Sequence, residues 1–97
     1  MTAFTRAAER VMQQLRQLAE ISQHPDHLDR RYLTDEHAAA NRQVAQWMTQ
    51  SAMTSYTDAA GNLWGRLGSR QPNARRFILG SHLDTVPNGG KYDGMLG

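Results

Sequence analysis

A histidine and two aspartates close to the carboxyl-terminal end have residue types and spacing that could bind a metal ion. His82 and Asp84 are two positions apart and follow the apolar run Phe77-Ile78-Leu79. Alternate side chains of an extended backbone point to the same face, so His82 and Asp84 can face the same way. An imidazole that binds a metal usually donates its other ring N–H to a carboxylate, which fixes the tautomer. We therefore interpret Asp84 as the catalytic-site residue that orients His82.

The third residue, Asp93, is expected to return toward His82. After Pro87 the chain must turn back, and Asn88-Gly89-Gly90 tolerates the positive φ angles of a tight turn. The sequence has no cysteine, so a metal would be held by nitrogen and oxygen atoms. A neutral imidazole and a carboxylate suit Zn²⁺, and Mn²⁺ or Co²⁺ would also be compatible. We predict His82 and Asp93 as metal ligands.

Two amphipathic helices are predicted in the first half of the chain. The first runs from about Thr5 to Glu20, and the second starts at the capping hydroxyl of Thr34 and ends at about Ser51. Apolar residues recur at steps of three and four in both segments, which is typical of a helix that packs on a core. These positions are Ala8, Val11, Met12, Leu15, Leu18 and Ala19 in the first helix, and Ala40, Val44, Trp47, Met48 and Ser51 in the second.

Three strands are predicted in the second half. Met53–Asp58 and Leu63–Leu67 flank the turn-forming residues 58–62 and should form a hairpin. After a loop at residues 69–73, a central strand is expected from about Arg76 to His82. The fold class is therefore α/β, with two helices, then a hairpin and a central strand. In such folds ligands collect beyond the carboxyl ends of strands, which is where His82 lies.

The remaining charged residues are interpreted as solvent-exposed. The segment from Ile21 to Leu33 should be a loop, because Pro25 disfavours helix at the preceding residue. A solvated loop explains its histidines and aspartates better than a metal cluster does, and His37 should be exposed in the first turn of the second helix. The residues concerned are His24, Asp26, His27, Asp29 and His37, together with the pairs Arg30-Arg31 and Arg75-Arg76.

The composition is that of an ordinary globular chain. Its 97 residues suffice for one domain at most, 39% are hydrophobic and 21% are charged. A formal charge of +2 is too small to indicate nucleic-acid binding. No segment has the length or apolar character of a signal peptide or a membrane span. We expect a cytoplasmic protein with neither nucleic-acid nor membrane partners.

The final stretch, GSHLDTVPNGGKYDGMLG, resembles the first metal-binding motif of the di-zinc amidohydrolases related to aminoacylases and zinc carboxypeptidases. It is most similar to the branch that contains allantoate amidohydrolase, N-carbamoyl-L-amino-acid hydrolase and β-ureidopropionase, because eleven positions separate His82 from Asp93. Residues 33–37 and 61–66 also look like the amino-terminal region of that family. The resemblance implies that His82 binds one metal, Asp84 orients it and Asp93 bridges two metals.

The resemblance further implies that residues 1–97 are the amino-terminal portion of a zinc-exopeptidase-like catalytic domain. The general-base glutamate, the remaining ligands and an inserted second domain would follow Gly97. The full-length enzyme would hold two Zn²⁺ ions, would hydrolyse a ureido or carbamoyl compound such as allantoate or an N-carbamoyl-L-amino acid, and could be a homodimer. The fragment alone would be inactive. Two alternatives stay open: an aminoacylase or peptidase of the same superfamily, and a non-catalytic truncated fragment.

Overall fold

Residues 2–96, which the computed structural model describes, form two helices followed by a two-stranded antiparallel sheet. Helix α1 spans Ala3–Ala19 and helix α2 spans Asp35–Gln50. Strand β1 spans Thr54–Thr57 and strand β2 spans Leu63–Arg66. The sequence predictions of both helices and of the hairpin are confirmed within a few residues at each end.

Both helices begin at a threonine whose hydroxyl accepts a backbone N–H that has no partner inside the helix. Thr2 Oγ1 accepts from Thr5 N at 3.1 Å, and Thr34 Oγ1 accepts from His37 N at 3.2 Å. Asp35 and Glu36 lie in the first turn of α2, where negative charge complements the helix dipole. The cap predicted at Thr34 is therefore confirmed.

The apolar faces of the helices meet in a groove of about 290 Å³. Leu15 and Leu18 of α1 and Ala40 of α2 are buried, as their spacing predicts. Val11 also lines the groove, although 45% of its surface is still exposed. The complete lining is Val11, Gln14, Leu15, Leu18, Val44, Trp47, Met48, Ser51, Met53 and Met95. Met95 brings the segment after the predicted metal motif into this groove.

The hairpin packs on α2 and is closed by one aspartate. Strands β1 and β2 pair with Thr54 opposite Arg66, and the cross-strand rings of Tyr56 and Trp64 stack with centroids 6.3 Å apart. Asp58 Oδ1 accepts the N–H groups of Ala60 and Asn62, and its Oδ2 accepts Trp64 Nε1–H at 2.9 Å. These hydrogen bonds, led by that from Trp64, lower the pKa of Asp58 to about 2.

The prediction of a central strand from Arg76 to His82 is wrong. Residues 74–80 have no regular secondary structure, and β1 and β2 pair only with each other within residues 2–96. Phe77, Ile78 and Leu79 are 87%, 75% and 84% exposed. A strand requires a neighbouring backbone that completes its hydrogen bonds, and apolar β-prone residues do not supply one.

No helix within residues 2–96 is both long enough and apolar enough to cross a membrane.

Candidate metal centre

The loop that follows α1, rather than a sheet, holds the segment that carries His82 and Asp84. Thr85 N donates to Arg30 O at 2.7 Å, and Arg30 N donates to Thr85 Oγ1 at 2.9 Å. Asn88 N donates to Leu28 O at 3.1 Å, so the segment after Asp84 and the loop after α1 run antiparallel to each other. Thr85 is buried at the centre of this contact. The backbone that follows Asp84 is therefore fixed by non-local hydrogen bonds.

The His82 imidazole has one ring nitrogen engaged and the other available. Its Nδ1 lies 2.7 Å from the backbone carbonyl oxygen of Asp84, and a carbonyl can only accept a hydrogen bond. The geometry therefore requires a proton on Nδ1 and leaves the neutral ring with a lone pair on Nε2. The Asp84 carboxylate is farther away, with Oδ1 3.6 Å from Nδ1. The backbone of Asp84 thus makes the short contact, whereas the sequence analysis assigned that contact to its side chain.

Gly94 lies directly against the face of the His82 ring. A Cβ atom on Gly94 would lie 2.2 Å from both Cε1 and Nε2 of His82, and the φ angle of Gly94 is +76°. The Ser81 hydroxyl donates a hydrogen bond to the Gly94 carbonyl. The chain therefore returns to the imidazole after the turn, as the sequence predicts, and only glycine fits at the point of closest approach.

Asp93 precedes Gly94, but within residues 2–96 its side chain makes neither a hydrogen bond nor an ion pair with the His82 imidazole. Its N–H donates to Gly90 O at 3.3 Å, and its Oδ2 would lie 3.0 Å from a Cβ atom on Gly89. Within residues 2–96 no ion pair joins Asp93 to His82, and no three His, Cys, Asp or Glu side chains form a group suited to a metal ion. The assignment of His82 and Asp93 as ligands, and of Asp84 as their orienting residue, stays a prediction.

The histidines of the loop after α1 make local contacts. The rings of His24 and His27 stack with centroids 3.9 Å apart. His24 Nδ1 accepts the backbone N–H of Asp26 at 3.1 Å, and the Asp29 carboxylate lies 3.4 Å from the Nε of Arg31.

Two residues interpreted as solvated are in fact buried, which corrects the sequence analysis. Arg30 is 1% exposed and His37 is 6% exposed. His37 Nδ1 accepts Leu33 N–H at 3.1 Å, and its ring packs beside Tyr32. The imidazole is thus a structural residue at the start of α2, where a polar atom can be buried because it has a hydrogen-bond partner.

The guanidinium of Arg30 joins α1 to the metal motif. Its Nη1 donates to Leu18 O at 2.6 Å and Ile21 O at 3.0 Å, while its Nε donates to Leu83 O at 2.9 Å. Burial lowers the pKa of Arg30, and the nearby Asp84 carboxylate opposes that shift. Burial alternates in this loop, where Leu28 and Arg30 are buried and Asp29 and Arg31 less so, but the residue types at these positions do not alternate and gave no signal of it.

Comparison with known proteins places these observations in a family, although no family model matches the chain. The chain is 42% identical over 90 residues to an N-carbamoyl-L-amino acid amidohydrolase of Geobacillus stearothermophilus, covering 92% of the chain and 22% of that relative. It is 32% identical over 83 residues to an allantoate deiminase of Arabidopsis thaliana, covering 86% of the chain and 16% of that relative. The chain thus spans a quarter or less of the length of these curated relatives.

A solved structure gives the same result for the fold. The crystal structure of AtUAH in complex with glyoxylate matches with a TM-score of 0.85 and 34% sequence identity, over 93% of this chain and 22% of that one. The sequence and fold comparisons therefore show that this chain is a homologue of the N-carbamoyl-L-amino-acid amidohydrolases and allantoate deiminases.

Proposed function

We propose that this chain supplies the first metal-binding motif of a di-metal amidohydrolase that cleaves a non-peptide C–N bond in a ureido or carbamoyl compound. The observation that carries the proposal is the His82 ring, with Nδ1–H directed at Asp84 O and Nε2 left with a lone pair. The names of the relatives support the substrate class, since they act on N-carbamoyl-L-amino acids or allantoate. Because the chain covers so little of each relative, the activity is proposed for the complete enzyme.

The donor set fits zinc as part of a site. His82 would bind through Nε2, and Asp93, beside the Gly94 that contacts the ring, would supply carboxylate oxygen. Catalytic zinc sites use about three protein ligands, so two residues of this chain require further ligands from elsewhere. Bound zinc would polarise the carbonyl of the substrate and make a water molecule acidic enough to act as a nucleophile.

The residues of this chain would act by holding the site in one arrangement. The Asp84 carbonyl keeps the proton of His82 on Nδ1, so that Nε2 does not have to lose a proton before it binds a cation. The Asp84 carboxylate, 3.6 Å from Nδ1, adds negative charge beside the ring, which would strengthen the imidazole as a metal ligand. Gly94 leaves room for the ring at its face. A glutamate outside this sequence would serve as the general base.

The experiment is a set of turnover assays on the complete enzyme with allantoate, N-carbamoyl-L-amino acids and N-acetyl-L-amino acids. We expect ammonia from one of the first two substrate classes, loss of activity after chelation and recovery with Zn²⁺. A His82→Ala variant should stay inactive at any zinc concentration, whereas His24→Ala, at the exposed histidine stack, should retain activity. Ammonia release that persists after chelation and in His82→Ala would refute the proposal.

The two alternatives give different outcomes in the same assays. An aminoacylase or peptidase would release acetate from N-acetyl substrates and no ammonia from ureido compounds. A non-catalytic fragment is favoured by the exposure of Phe77, Ile78 and Leu79, which no neighbouring strand covers within residues 2–96. For residues 1–97 alone we expect weak metal occupancy and no turnover. Stoichiometric zinc together with a cooperative thermal transition would count against the fragment interpretation.

A further inference from the structure

Arg30 contacts the backbone on both sides of Asp84. On one side its Nε donates to Leu83 O at 2.9 Å. On the other side its own backbone exchanges hydrogen bonds with Thr85, through Thr85 N to Arg30 O and Arg30 N to Thr85 Oγ1. The peptide groups that flank Asp84 are therefore both attached to residue 30, and Asp84 O is the atom that receives the His82 proton.

The opposite end of the same side chain is anchored in a rigid element. Nη1 of Arg30 donates to the carbonyls of Leu18 and Ile21, at the carboxyl-terminal end of α1. Leu18 O also accepts the N–H of Ile21, and a cation beside the end of α1 complements the helix dipole. Since the side chain is 1% exposed, water cannot replace these contacts. The guanidinium fork is thus a rigid link from α1 to the backbone around Asp84.

We propose that Arg30 is a positioning residue for the metal site, fixing Asp84 O against His82 Nδ1 and so selecting the tautomer that leaves Nε2 free. The proposal rests on the proposed function only where it concerns zinc. The tautomer of His82 is a property of the metal-free chain. Its measurement tests Arg30 whether or not the chain binds zinc.

The test compares Arg30→Lys with Arg31→Lys in the full 97-residue chain. Lysine keeps the charge but is a point donor that cannot reproduce the fork to Leu83 O and Leu18 O. Arg31 is the matched control, because its side chain is 63% exposed and pairs only with Asp29 on the same loop. Long-range ¹H–¹⁵N NMR correlations at a pH where His82 is neutral report which ring nitrogen carries the proton.

We expect one Nδ1–H tautomer of His82 in the wild type and in Arg31→Lys, and a mixture of both tautomers in Arg30→Lys. In the complete enzyme, zinc binding measured by competition with a chromophoric chelator should weaken by about tenfold or more in Arg30→Lys, as for other residues that orient a metal ligand. Leu15→Ala, a buried substitution in α1, controls for lost stability and should keep the single tautomer.

A second pair of variants keeps the test decisive if Arg30→Lys does not fold. Thr85→Val removes the Oγ1 that accepts Arg30 N–H, while Thr85→Ser retains it. Mixed tautomers in Thr85→Val and one tautomer in Thr85→Ser would support the positioning role. A folded Arg30→Lys or Thr85→Val chain with an unchanged His82 tautomer would overturn it. A complete enzyme that binds no zinc, while the wild-type chain shows the single tautomer, would contradict the proposed function and leave the positioning role intact.

Discussion

Replacing Gly94 with alanine should displace the His82 ring from the candidate site. The new Cβ would lie 2.2 Å from Cε1 and Nε2 and 2.6 Å from Nδ1. Carbon contacts are favourable at about 3.5 Å, so the ring must withdraw by roughly 1 Å. Functional groups must be held within about 0.5 Å of their working positions, and this displacement exceeds that tolerance. We expect zinc affinity to fall by about 10- to 100-fold, the range seen when a ligand loses its orientation.

Gly90→Ala provides a control that separates ring displacement from backbone strain. Gly90 has a φ angle of +90°, and a Cβ atom there would meet no atom within 4 Å. Both variants place alanine in a left-handed conformation at a cost of about 1–2 kcal/mol, so both should lose similar stability in a thermal melt. Only Gly94→Ala should shift the His82 ring resonances and weaken zinc binding, measured by chelator competition. Equal zinc affinities for the two variants would refute the steric argument.

Three further predictions concern the elements that support the site. Thr34→Ala removes the cap of α2 and should lower the free energy of unfolding by about 1 kcal/mol in denaturant titration, while Thr34→Ser should not. Folding lowers the pKa of Asp58 to about 2, so its contribution to the free energy of unfolding is complete above about pH 4 and is lost as the pH falls through 2. The NMR resonance of the Trp64 indole N–H should change over the same pH range. Asp58→Asn should abolish this pH dependence. Leu18→Ala should lower the free energy of unfolding by about 2–5 kcal/mol, because Leu18 is buried, whereas Leu79→Lys should leave the melting temperature unchanged, because Leu79 is exposed. A large fall in the melting temperature of Leu79→Lys would show that residue 79 is buried in solution.

Local signals were sufficient to predict the helices and the hairpin. A threonine cap, early acidic residues and a repeat of three and four residues set α2, because all of these act within one or two turns of helix. Asp58 closes the hairpin with contacts no more than six positions away. The turn residues after Pro87 also predicted that the chain returns toward His82, although Gly94 and not the predicted Asp93 contacts the ring.

The central strand was predicted wrongly because apolar, β-prone residues are a local signal, whereas a strand requires hydrogen bonds to another segment of the chain. Phe77, Ile78 and Leu79 have the apolar, β-prone character of a strand buried on both faces. Strand formation also needs hydrogen bonds to an adjacent edge, and within residues 2–96 this segment pairs with neither open edge of the hairpin. The backbone around His82 is therefore fixed by the loop at Leu28 and Arg30, a contact across more than fifty positions that no periodicity in the segment itself could reveal.

Arg30 shows why charge alone is a poor guide to exposure in such a loop. An arginine beside a second arginine suggests a solvated pair, yet burial requires only that each polar group find a partner. Three backbone carbonyls provide those partners for Arg30, while its neighbour Arg31 keeps an exposed side chain. Because Leu18 lies in the last turn of α1, Ile21 follows that helix and Leu83 precedes Asp84, one side chain links the end of α1 to the His82 segment.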